Sequence, residues 1–247
     1  WNGIGQVSGC TPDSCAQAIN AGIDMVMVPE DWRTLYDNML AQVHSGEITE
    51  ARVDEAVTRI LKVKFDFGLM ERSLPSKRAA AFADAIGAEA HRELARDAVR
   101  RSLVLLKNDN NLLPLNPGGR YRLAGAGADD IGLQSGGWTI SWQGTGNVNS
   151  DFPGGSSILD GFQHHAQQAG GDVALYDPTE SGPKPDAVIM VMAENPYAEG
   201  QGDIDTLAWQ QGNSRDLALI RQLKEQGIAV VTLFLTGRPM WVNAEMN

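Results

Sequence analysis

Cysteine and clustered imidazole are scarce in this sequence. Its two cysteines, Cys10 and Cys15, sit in the loop GCTPDSC, and no histidine or further thiol lies near enough to complete a zinc site. The four histidines, His44, His91, His164 and His165, fall in helical patterns at spacings that suit no metal, so they read as surface or packing residues. Cationic residues are outnumbered: 20 Lys and Arg against 31 Asp and Glu give a formal net charge of −11, which argues against a nucleic-acid partner. No apolar run approaches the roughly 18 residues needed to cross a bilayer, so no membrane partner is expected. A dinucleotide loop is lacking too. Ala124 to Asp130, AGAGADD, follows a strand pattern and contains G-x-G, but the third glycine is absent and IGLQSGGW follows instead of an apolar helix. Those glycines read as a tight turn.

The cysteine spacing allows either a small disulfide loop or two free thiols. The disulfide is the expectation adopted, and it points to a periplasmic or secreted location.

With 247 residues the chain can hold one large domain or two ordinary ones. Residues 1–20 form a loop rich in Gly and Ser, and Ala21 to Pro29, with its IDMVMV core, reads as a buried parallel strand. From Glu30 to Val43, residues Trp32, Leu35, Tyr36, Met39, Leu40 and Val43 share one helical face, and Gly46 ends the helix. Thr49 caps a second helix with Val53, Ala56, Val57, Ile60 and Leu61 inward and Gly68 just past its end. Leu74 to Arg78 reads as a linker, Ala79 to Arg101 as helical, and Ser102 to Leu106 as an apolar strand that opens a second domain. Strands at 121–124, 173–176, 187–192 and 228–235 then alternate with helices at 157–169 and 214–226. Such alternation predicts a mostly parallel sheet with helices on both faces. The boundaries expected are therefore 1–73, a linker and connecting helix over 74–101, and 102–247.

Chemistry concentrates in DAVIMVMAENPYAEGQGDID, Asp186 to Asp205. An unbroken apolar run reads as a strand buried on both faces, and beyond it Glu194, Glu199, Asp203 and Asp205 crowd into one loop punctuated by Pro196, Gly200 and Gly202. Carboxylates held close repel, and a carboxylic acid that keeps its proton near neutrality is what a general acid requires. The same composition also suits a solvated acidic loop. Trp138 and Trp142 lie in SGGWTISWQGTG, where glycines and polar neighbours make full burial of two indoles difficult. Exposed indole faces suit the C–H face of a pyranose. Arg238 and Asp203, near strand ends, are candidates to support a site rather than to act in it.

AENPYAEGQGD resembles the acid/base loop of glycoside hydrolase family 3, whose members carry a Glu in a PYxE context followed by Gly-Asp. Four further stretches resemble the same family in the same order: WNGIGQ at the start, AGIDMVMVP at 21–29, HRELARDAVRRSLVLLKN at 91–108 and GGWTISWQG at 136–144. The similarity is greatest to exo-acting β-glucosidases and β-glucan exohydrolases and covers essentially the whole chain. It implies an α/β protein: the C-terminal end of a (β/α)₈ barrel followed by an incomplete α/β sandwich domain with a mostly parallel sheet. It further implies hydrolysis of terminal non-reducing β-D-glucosyl residues of a β-glucan or β-glucoside oligosaccharide, by double displacement and without a cofactor. The matching acid/base is Glu199. Trp142 would pair with Trp1 to grip the sugar on the leaving-group side, Trp138 would line the same pocket, and Met27 would be a pocket-lining residue that reads equally as core. In the family the nucleophilic Asp immediately precedes the Trp that matches Trp1, so residues 1–247 alone are expected to be inactive. Asn2, where plant members often carry an acidic residue, points to the bacterial branch. A β-xylosidase on the same scaffold and a non-catalytic carbohydrate-binding fragment are the alternatives.

Overall fold

The computed structural model describes residues 2–210 and 215–246. The chain divides into two units, Trp1–Leu103 and Val104–Asn247.

The first unit is helical. It contains α1 (Ala16–Asn20), α2 (Trp32–His44), α3 (Glu50–Asp66), α4 (Pro75–Ala79) and α5 (Glu89–Ser102). Thr49 caps α3 as expected, its Oγ1 accepting from Arg52 N at 3.2 Å, which satisfies one of the free N–H groups of the first turn. Gly46 and Gly68 follow α2 and α3 with φ of 79° and 63°, a left-handed turn that glycine adopts without steric cost. A small core gathers Ala16, Ile19 and Ile48, with Val26, Met39, Val43 and Val53 packed against it. Beside it the buried Arg52 donates to Ile19 O at 2.8 Å and to Asp24 Oδ1 at 2.6 Å. Its guanidinium, with that of Arg59, holds the Asp24 carboxyl below the usual carboxylate range. Cys10 and Cys15 form a disulfide.

Several expectations fail in this unit. Ala21 to Pro29 is not a strand among the described residues; Met25 and Met27 are 76% and 82% exposed. A parallel strand satisfies its backbone only through neighbours, and among the described residues no strand lies beside this run to pair with it. Met27 is therefore not a core residue. Leu74 to Arg78, expected as a linker, runs into α4, with Pro75 as its first residue, where a missing N–H costs nothing. The apolar faces of α2 and α3 are only partly covered: Leu35 and Ala56 are buried, while Trp32, Tyr36, Leu40, Val57 and Leu61 are exposed.

The helical stretch after α4 is interrupted as well. Residues Ala80–Ala85 form a 3-10 turn, Gly87 adopts φ 71°, and α5 begins only at Glu89. Ser102 to Leu106 is not a strand either: α5 runs through Ser102, and Leu103 to Leu106 are 65% to 76% exposed. Their apolarity suits a strand, but again no described strand lies alongside.

The second unit holds β1 (Arg120–Ala124), α6 (Ile131–Gln134), α7 (Ile158–Ala169), β2 (Asp172–Leu175), β3 (Ala187–Ala193), α8 (Arg215–Glu225), β4 (Ala229–Leu235) and α9 (Asn243–Met246). The four strands make one sheet in the order β2-β1-β3-β4, all pairs parallel. Strand alternation explains the two cores. Ala187, Ile189 and Val191 of β3 face one side with Tyr121, Leu123 and Leu159. Val188, Met190 and Met192 face the other with Ile220, Leu223 and Ile228. With α7 on the first face and α8 on the second, every side chain from Ala187 to Met192 is buried, each of the larger ones contributing about 1.5–3 kcal/mol. The α/β class with a parallel sheet expected from the alternation is the one observed.

At the amino ends of the strands, the buried Arg122 binds Glu180 through Nε and Nη2, both at 2.7 Å, and Asp172 through Nη2 at 3.0 Å. Hydrogen bonding to this guanidinium draws both carboxyls below their ordinary range. The chain reverses its direction of travel between β1 and β3, so the crevice in which ligands of open α/β sheets collect lies outside the carboxyl ends of those two strands.

Candidate active site

Two loops leave the sheet at that crevice. The first, after β1, needs its glycines for close approach: a Cβ on Gly125 would stand 2.3 Å from Val191 O, and Gly127 N donates to the same oxygen at 3.2 Å. This confirms a tight backbone turn in AGAGADD.

The second follows β3. Glu194 extends the ladder by one bond, its N–H donating to Leu235 O at 2.9 Å. Its carboxylate is fully occupied. Thr236 Oγ1 donates to Oε2 at 2.7 Å, Gly237 N approaches the same oxygen at 3.4 Å, and Arg238 Nε lies 3.0 Å from Oε1 as an ion pair without the alignment of a hydrogen bond. Both side chains of that pair are about five-sixths buried, at 15% and 16% exposure. Glu194 thus faces a cation, not another carboxylate, and the crowding suggested by the sequence does not involve it.

Further along, Tyr197 is clamped. The Arg238 guanidinium carbon lies 3.8 Å from its ring centroid, and a Cβ on Gly202 or Gly237 would come within 2.3 Å or 2.8 Å of its atoms. Ala198 is buried and its N–H donates to Gln143 Oε1 at 2.8 Å. Glu199 then opens a single 3-10 turn, Glu199–Gly202, closed by Asp203 N on Gly200 O at 3.1 Å and by a hydrogen bond from Arg238 Nη1 to Gly202 O. The Glu199 side chain is exposed and, among the described residues, makes no hydrogen bond or ion pair. Its backbone sits at φ 52°, a left-handed conformation that costs a non-glycine residue about 1–2 kcal/mol. Glu199→Gly is accordingly expected to stabilise the protein by about 1 kcal/mol in urea melts, after allowance for the greater freedom of glycine in the unfolded chain. A destabilised variant would mean that the carboxylate makes a stabilising contact.

The tryptophan loop packs on this turn. A Cβ on Gly137 would meet Tyr197 O at 2.2 Å, and one on Gly144 would lie 3.1 Å from Pro196 Cβ. Trp138 N donates to Trp142 O at 2.8 Å, and the two rings stand 5.9 Å apart at 31°. They are 68% and 56% exposed, so neither is core. Asn147 pins the loop through Thr139 O and Gly144 O, both at 3.1 Å.

Of the residues singled out in the sequence, Glu199, Trp138 and Trp142 therefore share two loops that touch through Gly137, Gln143, Tyr197 and Ala198. Met27 belongs to the first unit, and Trp1 lies outside the described residues. Asp203 makes no side-chain hydrogen bond or ion pair with Arg238, whose polar partners among the described residues are Thr236, Glu194 and Gly202. Gln143 and Tyr197 were missed, although the close glycines around them, Gly137, Gly144 and Gly202, signalled crowded backbone. No cluster suited to a metal ion occurs among the described residues.

The family model described as Glycosyl hydrolase family 3 C-terminal domain matches residues 103–247, and the N-terminal domain model of the same family matches residues 3–63. The chain belongs to glycoside hydrolase family 3. Among similar proteins, a lysosomal beta glucosidase of Dictyostelium discoideum is 34% identical over 94% of this chain and 30% of its own length. A periplasmic beta-glucosidase/beta-xylosidase of Dickeya chrysanthemi is 44% identical over 46% of this chain and 16% of its own. The crystal structure of an exo-1,3/1,4-beta-glucanase from a Pseudoalteromonas species superimposes with a TM-score of 0.92 at 48% identity, covering 100% of this chain and 31% of that one. The chain thus spans less than a third of the length of these glycoside hydrolase family 3 proteins.

Proposed function

We propose that this chain is a segment of a retaining β-glucosidase or exo-β-glucanase that removes terminal non-reducing β-D-glucosyl residues, with Glu199 as its acid/base. The observation that carries this reading is the contrast between the two glutamates after β3. Glu194 is consumed by Arg238 and Thr236, whereas Glu199 is presented with its carboxylate free on a braced turn beside two exposed indoles. The names of the Dictyostelium and Pseudoalteromonas relatives support the substrate class.

In the first step an aspartate that precedes Trp1 in the full-length protein attacks the anomeric carbon, the glycosidic C–O bond breaks, and Glu199 gives its proton to the departing oxygen. In the second, Glu199 takes a proton from water as the water displaces the aspartate, and the β configuration is restored. Such a path places the two carboxyls about 5 to 5.5 Å apart and uses no cofactor. Trp138 and Trp142 offer their faces to the sugar on the leaving-group side, and Trp1 and Met27 are the further sugar-binding residues that the family resemblance implies. The 1–73, 74–101 and 102–247 division is kept as the proposed domain plan. A disulfide between Cys10 and Cys15 and the periplasmic Dickeya relative support a periplasmic or secreted site of action.

The name of the Dickeya protein also favours a second reading, a β-xylosidase on the same scaffold. Proton NMR during hydrolysis of an aryl β-glucoside by the full-length protein tests the proposal: β-glucose is expected as the first product. First appearance of the α anomer would overturn retention, release of xylose from the matching aryl β-xyloside with no turnover of the glucoside would favour the xylosidase, and glycan binding without turnover would leave a binding module.

A further inference from the structure

We infer that Arg238 is the positioning residue for the acid/base turn, an inference that rests on the proposed role of Glu199. Three contacts converge on its guanidinium. Nε is held by Glu194 at the end of β3, the planar face covers the Tyr197 ring at 3.8 Å, and Nη1 donates to Gly202 O. Tyr197 stands two residues before Glu199 and Gly202 three residues after it, so one side chain brackets the whole turn. Its own backbone is anchored as well, Arg238 N donating to Thr236 Oγ1 at 3.2 Å while that hydroxyl donates to Glu194 at 2.7 Å. The arrangement ties the ends of β3 and β4, the two rigid neighbours in the sheet, to the one turn that carries the free carboxylate.

Such bracing has a purpose at Glu199. A non-glycine residue at φ 52° persists only where its surroundings over-determine it, and release would let the backbone relax and swing the carboxylate aside. A misplacement of about 1 Å at a reacting group can lower a rate by about a hundredfold. The planar fork is essential to the geometry: a lysine ammonium could satisfy Glu194 but could not also stack on Tyr197 and reach Gly202 O.

The test compares Arg238→Met and Arg238→Lys in the full-length protein. For cellobiose, whose leaving group needs a proton, kcat is expected to fall about tenfold or more in both variants with KM changed less than about threefold. For an aryl glucoside with a strongly acidic phenol, the first step should change less than about threefold. Amide hydrogen exchange at Gly200–Asp203 should quicken in both variants while exchange in β3 stays slow. Full recovery by Arg238→Lys would reduce the residue to a charge partner of Glu194 and overturn the inference, as would unchanged exchange in the turn. Equal losses on both substrates with a lower melting temperature would assign it to folding alone. Should Glu199→Gly itself show no dependence on the leaving group, the reading of Glu199 fails instead, and the exchange measurement still shows whether Arg238 braces the turn.

Discussion

Glu199→Gly in the full-length protein is expected to lower kcat on cellobiose by about 10²- to 10⁴-fold, the usual contribution of a positioned general acid. Glycine is the substitution of choice because it keeps φ 52° without strain, so the loss reports the missing carboxyl and not a displaced turn. An aryl glucoside that leaves as a stable phenolate should still form the covalent intermediate at nearly the original rate. Its turnover will then be limited by hydrolysis of that intermediate, because the base that activates water is gone, and a burst of phenol should precede a slow steady state. An equal loss in the first step on both substrates, with no burst of phenol, would remove Glu199 from acid/base chemistry.

The second large effect is expected at Trp142. If its exposed face carries the leaving-group sugar, Trp142→Ala weakens transition-state binding of disaccharides by about 1 to 3 kcal/mol relative to aryl glucosides with a small aglycone, as for other aromatic stacking platforms. With Trp142 56% exposed and its neighbour Trp138 68% exposed, little core packing is lost, and the melting temperature should move by no more than a few degrees. Equal kinetic losses on both substrates, accompanied by a large drop in melting temperature, would mean that the ring holds the loop together and touches no sugar.

How far the sequence could be read depended on where the partners of each element lie. From Arg120 to Leu235 each strand pairs with another strand of the same unit, and the apolar alternation of β3 matches two cores that β1, α7 and α8 complete. Ala21 to Pro29 and Ser102 to Leu106 carry the same apolar signal, but hydrophobicity reports a tendency to burial and says nothing of which element provides the cover. At the site, exposure of Trp138 and Trp142 followed from the glycines around them. The choice between Glu194 and Glu199 rested on a family motif, because both stand in one acidic loop and composition treats them alike. What separates them physically is Arg238, distant in sequence and brought beside Glu194 only by the pairing of β3 with β4. The left-handed backbone at Glu199 was not legible at all, since nothing in a glutamate signals it.

Azide tests the central assignment most directly, because a small anion can attack the glycosyl intermediate without a general base. With an activated aryl glucoside, full-length protein carrying Glu199→Gly should recover turnover as azide is added and yield β-glucosyl azide, identified by NMR, while Glu194→Gln should form none. Azide rescue of Glu194→Gln with none for Glu199→Gly would show that the acid/base is the carboxylate bound by Arg238 and would contradict the account.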